Sequence, residues 1–312
     1  MSASRPNSNV HRFAVFTAVC TFLLLIAGAL VTSNDAGLAV PDWPLSYGSL
    51  TPPMVGGIFY EHGHRMIAAF VGLLSIVLAV WLWRVEPRRW LLWLGASAVG
   101  AVIGQGILGG LTVLFFLPPA VSSAHAALAQ LFFCTIVSIA LFTSAWWERA
   151  GPVAGDSGSP GIHFLGAATV VATSVQLILG AAFRHQGFGI IPHLAGAVVV
   201  TVLVFVLARA LRRGFADVPI LRSASRVLHA LIGIQLLLGG AAWWSRVYAA
   251  PFPQPIPLMV SLTVVHTVTG ALVLASAVLL TLVCHRIVLR SGARERAVER
   301  SSRPSRPRHA SL

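Results

Sequence analysis

The segment Gln105-Gly106-Ile107-Leu108-Gly109-Gly110 occurs twice more with little change, as Gln176-Leu177-Ile178-Leu179-Gly180-Ala181 and as Gln235-Leu236-Leu237-Leu238-Gly239-Gly240. Each copy lies inside an apolar run, and a degraded fourth copy at residues 24–29 has leucine where the others have glutamine. Self-similarity of this kind marks a duplicated unit. The glycines allow a second backbone or a flat ligand to come close, and the glutamine one turn earlier can hydrogen-bond across a bundle; tight packing alone is the other reading.

Around these segments the chain divides into eight stretches of the roughly 20 apolar residues that a bilayer crossing needs. They cover 13–33, 62–83, 90–113, 120–147, 162–183, 190–210, 224–245 and 258–285. A 312-residue chain that is 56% hydrophobic and only 10% charged has too little polar surface to cover a soluble globule. The first stretch lacks a convincing small-residue cleavage pattern, so it reads as a span and not a signal peptide. The expected fold is all-α and membrane-integral, with two tandem, pseudo-symmetric four-helix bundles. Residues 1–149 form the first half, 150–161 a Gly/Ser/Pro-rich linker, 162–290 the second half and 291–312 a disordered basic tail.

All 22 basic residues are arginines, and the net charge is +13. With both termini cytoplasmic, 19 of the 22 fall on the inner side and only Arg65, Arg184 and Arg246 on the outer. That is the positive-inside bias of a membrane protein, with the tail lying beside anionic lipid, and it argues against a nucleic-acid partner. Cys20, Cys134 and Cys284 all lie within apolar runs, so neither a disulfide nor a zinc site is expected.

The even-numbered spans each carry a histidine in their outward half: His64, His125, His193 and His266. Gln105 and Gln235 are 130 residues apart and His64 and His193 are 129 apart, so the second half repeats the first in the same orientation. An ionisable group inside a membrane marks a site unless it is paired. One such histidine could simply bond a carbonyl or interfacial water, but four at equivalent depth favour a ligand role. Paired neutral imidazoles without cysteine or carboxylate neighbours suit heme iron, whose porphyrin fills the other positions, better than zinc, which wants more protein ligands. His62, expected just before the second span, and the remaining histidines read as interfacial.

The halves differ at one place. Glu61 precedes His64 by three residues, on the same helical face, whereas the matching stretch Ile190-Ile191-Pro192-His193 has no acid. A carboxylate beside a heme can relay protons or act as a general acid or base, which makes the first half the reaction site; capping of the second span is the alternative role for Glu61. The outward loop at 34–48 could cover that site, although Trp43 and Tyr47 also suit plain interfacial anchors. Arg65 and Arg184 stand where heme propionates would emerge, and topology alone would also place them there.

The loop ending Pro41-Asp42-Trp43-Pro44-Leu45, the Glu61-x-x-His64-Arg65 motif, the Gln-x-x-Leu-Gly repeats and the four histidines together resemble the heme A synthase family, across nearly the whole chain. The resemblance implies an enzyme of the bacterial cytoplasmic (inner) membrane that oxidises the ring D methyl of heme O to a formyl group, giving heme A for cytochrome c oxidase. The oxygen source, water or dioxygen, is left open. By position, His193 and His266 would ligate a resident heme b that serves electron transfer. His64 and His125 would hold the substrate heme O, with Glu61 as the catalytic carboxylate. Partners implied are heme O, membrane lipid, an electron donor of open identity, heme O synthase and the cytochrome c oxidase assembly apparatus, with a homo-oligomer allowed. Some family members carry two cysteines in the first outward loop. Here Ser46 stands at the second place and Ala39 or Val40 at the first, so that loop has no thiol chemistry. The rival readings are a two-heme transmembrane cytochrome b that only carries electrons, and a heme-handling oxidase assembly factor.

Overall fold

The computed structural model describes residues 8–289, so the expected tail at 291–312 lies outside the described residues. Eight helices are long and apolar enough to cross a membrane. In chain order these are α1 (Ser8–Ser33), α2 (Gly56–Val85), α3 (Arg89–Leu114), α4 (Pro119–Phe142), α6 (Ile162–Arg184), α7 (Ile190–Gly214), α8 (Pro219–Ala249) and α9 (Pro257–Ile287), with a short α5 (Ala145–Arg149) after α4. The chain is a multi-pass, all-α membrane protein.

Local chemistry explains these elements. Pro119, Pro219 and Pro257 open α4, α8 and α9, where proline's missing N–H costs nothing and its fixed φ suits the first turn. Hydroxyls inside the spans donate to carbonyls one turn back, as in Thr21 to Thr17, Ser75 to Val71, Ser138 to Cys134 and Thr173 to Thr169. Each thereby enters an apolar medium already satisfied. Large apolar side chains such as Leu73, Trp93, Ile107, Val198 and Leu237 point outward, as lipid-facing helices require.

Several boundaries differ from the sequence reading by four to six residues, among them the starts of α1 at Ser8 and α8 at Pro219 and the end of α7 at Gly214, and two have a local explanation. Helix α2 begins at Gly56, six residues before 62, because the chain after Pro52-Pro53 turns directly into the helix; His62 is therefore inside α2 and buried. The fourth span ends at Phe142, since the Thr143 and Ser144 hydroxyls bond back to Ile139 and Leu141 carbonyls and Ser144 then caps α5. Three free, buried cysteines match the expectation of small core residues.

In the first half α1 packs on α2, α2 on α3, α3 on α4, and α4 back on α1; in the second, α6, α7, α8 and α9 repeat the same ring. The halves meet where α1 touches α9, α4 touches α6, and α4 touches α9. Accordingly α4 and α9 are the central helices: their apolar windows are 50% and 56% buried, against 28% or less for the other six. Away from the histidine end, Ala154–Gly155 (β1) pairs in parallel with Val288–Leu289 (β2). Asp156 caps α6 by accepting from the Ile162 N–H, and Arg286 donates to the Trp147 carbonyl while stacking on the Trp147 ring. Part of the 150–161 stretch is thus an ordered seam joining the two halves.

Candidate functional site

All four histidines of the repeat lie near the starts of α2, α4, α7 and α9, at one end of the bundle, and all four rings are half-buried. Each is pressed against a glycine of the preceding span. A Cβ built on Gly28 would stand 3.2 Å from the His64 Cε1, one on Gly109 3.3 Å from that of His125, one on Gly180 2.9 Å from that of His193, and one on Gly239 3.0 Å from that of His266. At these distances a methyl would crowd the ring, by most at Gly180 and by a few tenths of an ångström at Gly28 and Gly109, so the glycine of each Gln-x-x-Leu-Gly segment forms the floor on which an imidazole lies. Gly28 shows that the degraded copy in α1 keeps this role although its glutamine is gone.

The glutamines hold the histidine-bearing helices in register. Gln105 donates to the His125 carbonyl at 2.9 Å and Gln176 to the His193 carbonyl at 2.8 Å; the Gln176 Nε2 also lies 3.1 Å from His193 Nδ1. Gln235 lies instead against Gly270, one turn past His266. The sequence motif pointed to close approach, but it did not reveal that the approaching group is the imidazole itself.

In the second half the His193 and His266 rings lie edge to face, with centroids 6.3 Å apart and planes at 86°. Two imidazoles bound to one metal ion from opposite sides, each at about 2.0–2.1 Å, have centroids roughly 6 Å apart. The separation of this pair is thus of the size that two imidazoles sharing one metal would need. In the first half His64 and His125 lie within electrostatic reach of each other. The Nδ1 atoms of His64, His125 and His266 are buried without a hydrogen-bond partner. Buried polar atoms are seldom left unpaired, and those that are call for an explanation. No group of three or more His, Cys, Asp or Glu that could hold a bare metal ion occurs among the described residues. Histidine pairs without such clusters are a donor set suited to a metal that brings its own macrocycle.

Glu61 is 4% exposed and does not cap α2. Its Oε2 accepts from the Val40 N–H at 2.8 Å and its Oε1 from Arg65 at 2.6 Å. Arg65 also donates to the Asp42 carbonyl at 2.8 Å and the Leu45 carbonyl at 2.6 Å. The Arg65 guanidinium is thus occupied with the loop and with Glu61, which leaves it less free for a propionate than the sequence suggested. His62, read from sequence as interfacial, bonds Ser46 at 2.8 Å and adds a third tie between loop and helix. No sequence signal beyond its two-residue offset from His64 set it apart.

The loop has internal order as well. Asp42 accepts from the Tyr47 and Gly48 N–H groups at 2.6 and 2.8 Å, and the Tyr47 hydroxyl donates to the Ala39 carbonyl. The Gly48 and Tyr47 N–H groups hold the Asp42 carboxyl below the usual carboxylate range. Trp43 lies flat enough on α3 that a Cβ at Gly110 would meet its ring at 2.9 Å. Gly110 adjoins Gly109, the floor under His125, so Trp43 brings the loop to the same level of α3 as the first-half histidines. The second half has only His185 to Gly189 between α6 and α7. There burial, with Arg184 and His125 nearby, pushes the His185 pKa down to about 4. Arg184 itself reaches across to the other half, donating to the Thr32 carbonyl and lying 3.8 Å from Asp35.

A family model described as cytochrome oxidase assembly protein, COX15-CtaA, matches residues 56–299. Among curated proteins, the heme A synthase of Symbiobacterium thermophilum is 34% identical over 173 residues, which is 53% of this chain and 56% of that protein. That of Shouchella clausii is 32% identical over 151 residues, 47% of this chain and 48% of the relative. That of Bacillus licheniformis is 26% identical over 185 residues, 57% of this chain and 60% of the relative. The chain spans about half the length of the curated relatives it matches.

Proposed function

The chain belongs to the COX15-CtaA family of cytochrome oxidase assembly proteins, and from that premise we propose that it is a heme A synthase, oxidising the ring D methyl of heme O to a formyl group. The observation that carries the reading is the neighbouring pair of rings, His193 and His266, with centroids 6.3 Å apart on glycine floors that recur under His64 and His125. Relatives named heme A synthase support the activity.

In this reading His193 and His266 hold a resident heme b, which when bound supplies one-electron transfer. His64 and His125 orient the substrate heme O beneath the loop. Trp43 and the backbone of 39–46 cover the site and limit water. Turning a methyl into a formyl with water as the oxygen source releases four electrons and four protons, so it needs a proton acceptor and an external electron acceptor. With dioxygen as the oxidant, one O2 per methyl yields the formyl and one water. On either route Glu61 takes or passes protons at its carboxylate, and Arg65 fixes that carboxylate toward the site. On this reading the enzyme lies in the bacterial inner membrane with both termini cytoplasmic, receives heme O from heme O synthase and delivers heme A toward cytochrome c oxidase assembly.

The test is to co-express the chain with a heme O producer, purify it and analyse the extracted hemes. Heme b together with heme O or heme A is expected. Heme b alone would refute the enzyme reading and favour an electron carrier. Because Glu61 also latches the loop, Glu61→Gln is the informative variant: it should keep both hemes and stop heme A formation.

A further inference from the structure

Two arginines at the histidine end of the second half stand in unusual company. Arg184 is i+4 from Gly180, the floor under His193, and so lies on the same face of α6 one turn nearer the helix end. Arg246 is i+7 from Gly239, the floor under His266, two turns along the same face of α8. The two guanidiniums are close enough to feel each other's charge. Arg184 has a side chain only 23% exposed, its Nε is buried without an acceptor, and its one acidic neighbour, Asp35, is 64% exposed at 3.8 Å. Arg246 is half-buried and forms no hydrogen bond or ion pair among the described residues. Two like charges drawn together at a membrane protein's edge, with one solvated acid beside Arg184 alone, are costly unless an anion completes the site.

We propose that Arg184 and Arg246 clamp the two carboxylates of the tetrapyrrole held in the second half. The first half has no such clamp: the positions at the same offsets from Gly28 and Gly109 are Thr32 and Phe116. The clamp makes the second-half group a permanent resident, while its absence leaves the first-half group free to exchange, as a substrate must. The inference rests on the reading that His193 and His266 hold a heme. It gives that reading a physical basis for which half retains its heme. A lipid phosphate offers similar chemistry at this depth, but the shared face with the glycine floors favours the tetrapyrrole.

The full-length protein, prepared heme-poor in detergent, is titrated with hemin and with hemin dimethyl ester, which lacks the carboxylates, while the bis-histidine absorption spectrum is followed. The native chain should prefer the free acid by on the order of tenfold or more. Arg246→Gln, which breaks no hydrogen bond or ion pair among the described residues, should erase most of that preference; Arg246→Lys should restore part of it. Arg184→Gln should act in the same direction, with circular dichroism reporting the fold because this variant also loses the Thr32 tie. The heme midpoint potential should fall in Arg246→Gln, since a cation that favours the reduced iron has been removed. An unchanged acid-to-ester preference in Arg246→Gln overturns the clamp, and does so equally if the variant instead loses binding of anionic phosphatidylglycerol. If neither porphyrin gives a bis-histidine spectrum in the native chain, the histidine assignment itself fails.

Discussion

Replacing Gly180 by alanine is the sharpest perturbation the structure offers. The new methyl would stand 2.9 Å from the His193 Cε1 and 3.1 Å from its Nδ1. Ordinary contact between such atoms is about 3.5–4.0 Å, so the ring must retreat by roughly 0.5–1 Å or the two helices must part. Overpacking of this kind costs about 1–3 kcal/mol in a folded core. The neighbouring ring, His266, starts with its centroid 6.3 Å away, close to the separation that two metal–nitrogen bonds of about 2 Å would need. The strain therefore falls on ligation, and heme b affinity should drop by about 10- to 100-fold. The four floors form a graded series, with built Cβ distances of 2.9 Å at Gly180, 3.0 Å at Gly239, 3.2 Å at Gly28 and 3.3 Å at Gly109. Gly240→Ala is the control, because nothing lies within 4 Å of its Cβ position. Heme per protein, the low-spin absorption spectrum and helical circular dichroism are measured on each purified variant. Helicity should hold throughout, since alanine favours helix over glycine. Full heme content and an unaltered spectrum in Gly180→Ala would refute the floor argument.

Gly110→Ala should drive the Trp43 ring off α3 and expose the 34–55 loop to protease, with the second-half heme unchanged; limited proteolysis and heme assay check both. Glu61→Gln should keep bound hemes and abolish heme A formation, as read by chromatography of extracted hemes. Asp156→Ala should remove the cap on α6 and lower stability by about 1 kcal/mol, seen as an earlier thermal transition. The Asp42 carboxyl, whose pKa is lowered by the Gly48 and Tyr47 N–H groups, contributes loop order that is complete above the unfolded value of 3.8 and is lost only as pH falls below it. Hydrogen exchange in the loop should therefore stay slow through mildly acidic pH, and Asp42→Asn should quicken it at neutral pH.

The eight spans, the duplicated halves' helix pattern and the line of four histidines were legible because each rests on composition or on spacing along one helix. Helix ends were less so. Gly56 to Glu61 carries two glycines and no N-cap side chain, so nothing local announces that α2 begins there, and only contact of Gly57 with Ala39 and Ala36 of the loop fixes it. The partners of Glu61 were also invisible, since Val40 and Arg65 reach it from a loop 21 residues earlier and from the next helical turn. The pairing of each glycine with one imidazole needed the geometry of neighbouring helices. Motif spacing shows which residues share a helix face, but not what lies opposite.

These pieces bear on how two nearly equal halves can do different work. The floors are tight, so a side chain added to them would displace the imidazoles, which on the proposed reading would weaken ligation. Change is cheap only at the ends of the spans. There the first half has Glu61, Arg65 and a loop tied down at Val40, Asp42, Leu45 and Ser46. The second half has five connecting residues between α6 and α7, Ile190 in the place of Glu61, Arg184 held by the Thr32 carbonyl and an exposed Asp35, and Arg246 with no hydrogen bond or ion pair among the described residues. A covered carboxylate suits proton transfer at a group that comes and goes, whereas fixed positive charge suits a group that stays. Moving Arg184 and Arg246 to positions 32 and 116, in a chain that retains Glu61, should therefore slow release of the first-half heme and reduce turnover even though every histidine is intact. Turnover equal to the native rate with that heme exchanging freely would show that end-of-helix charge does not set residence.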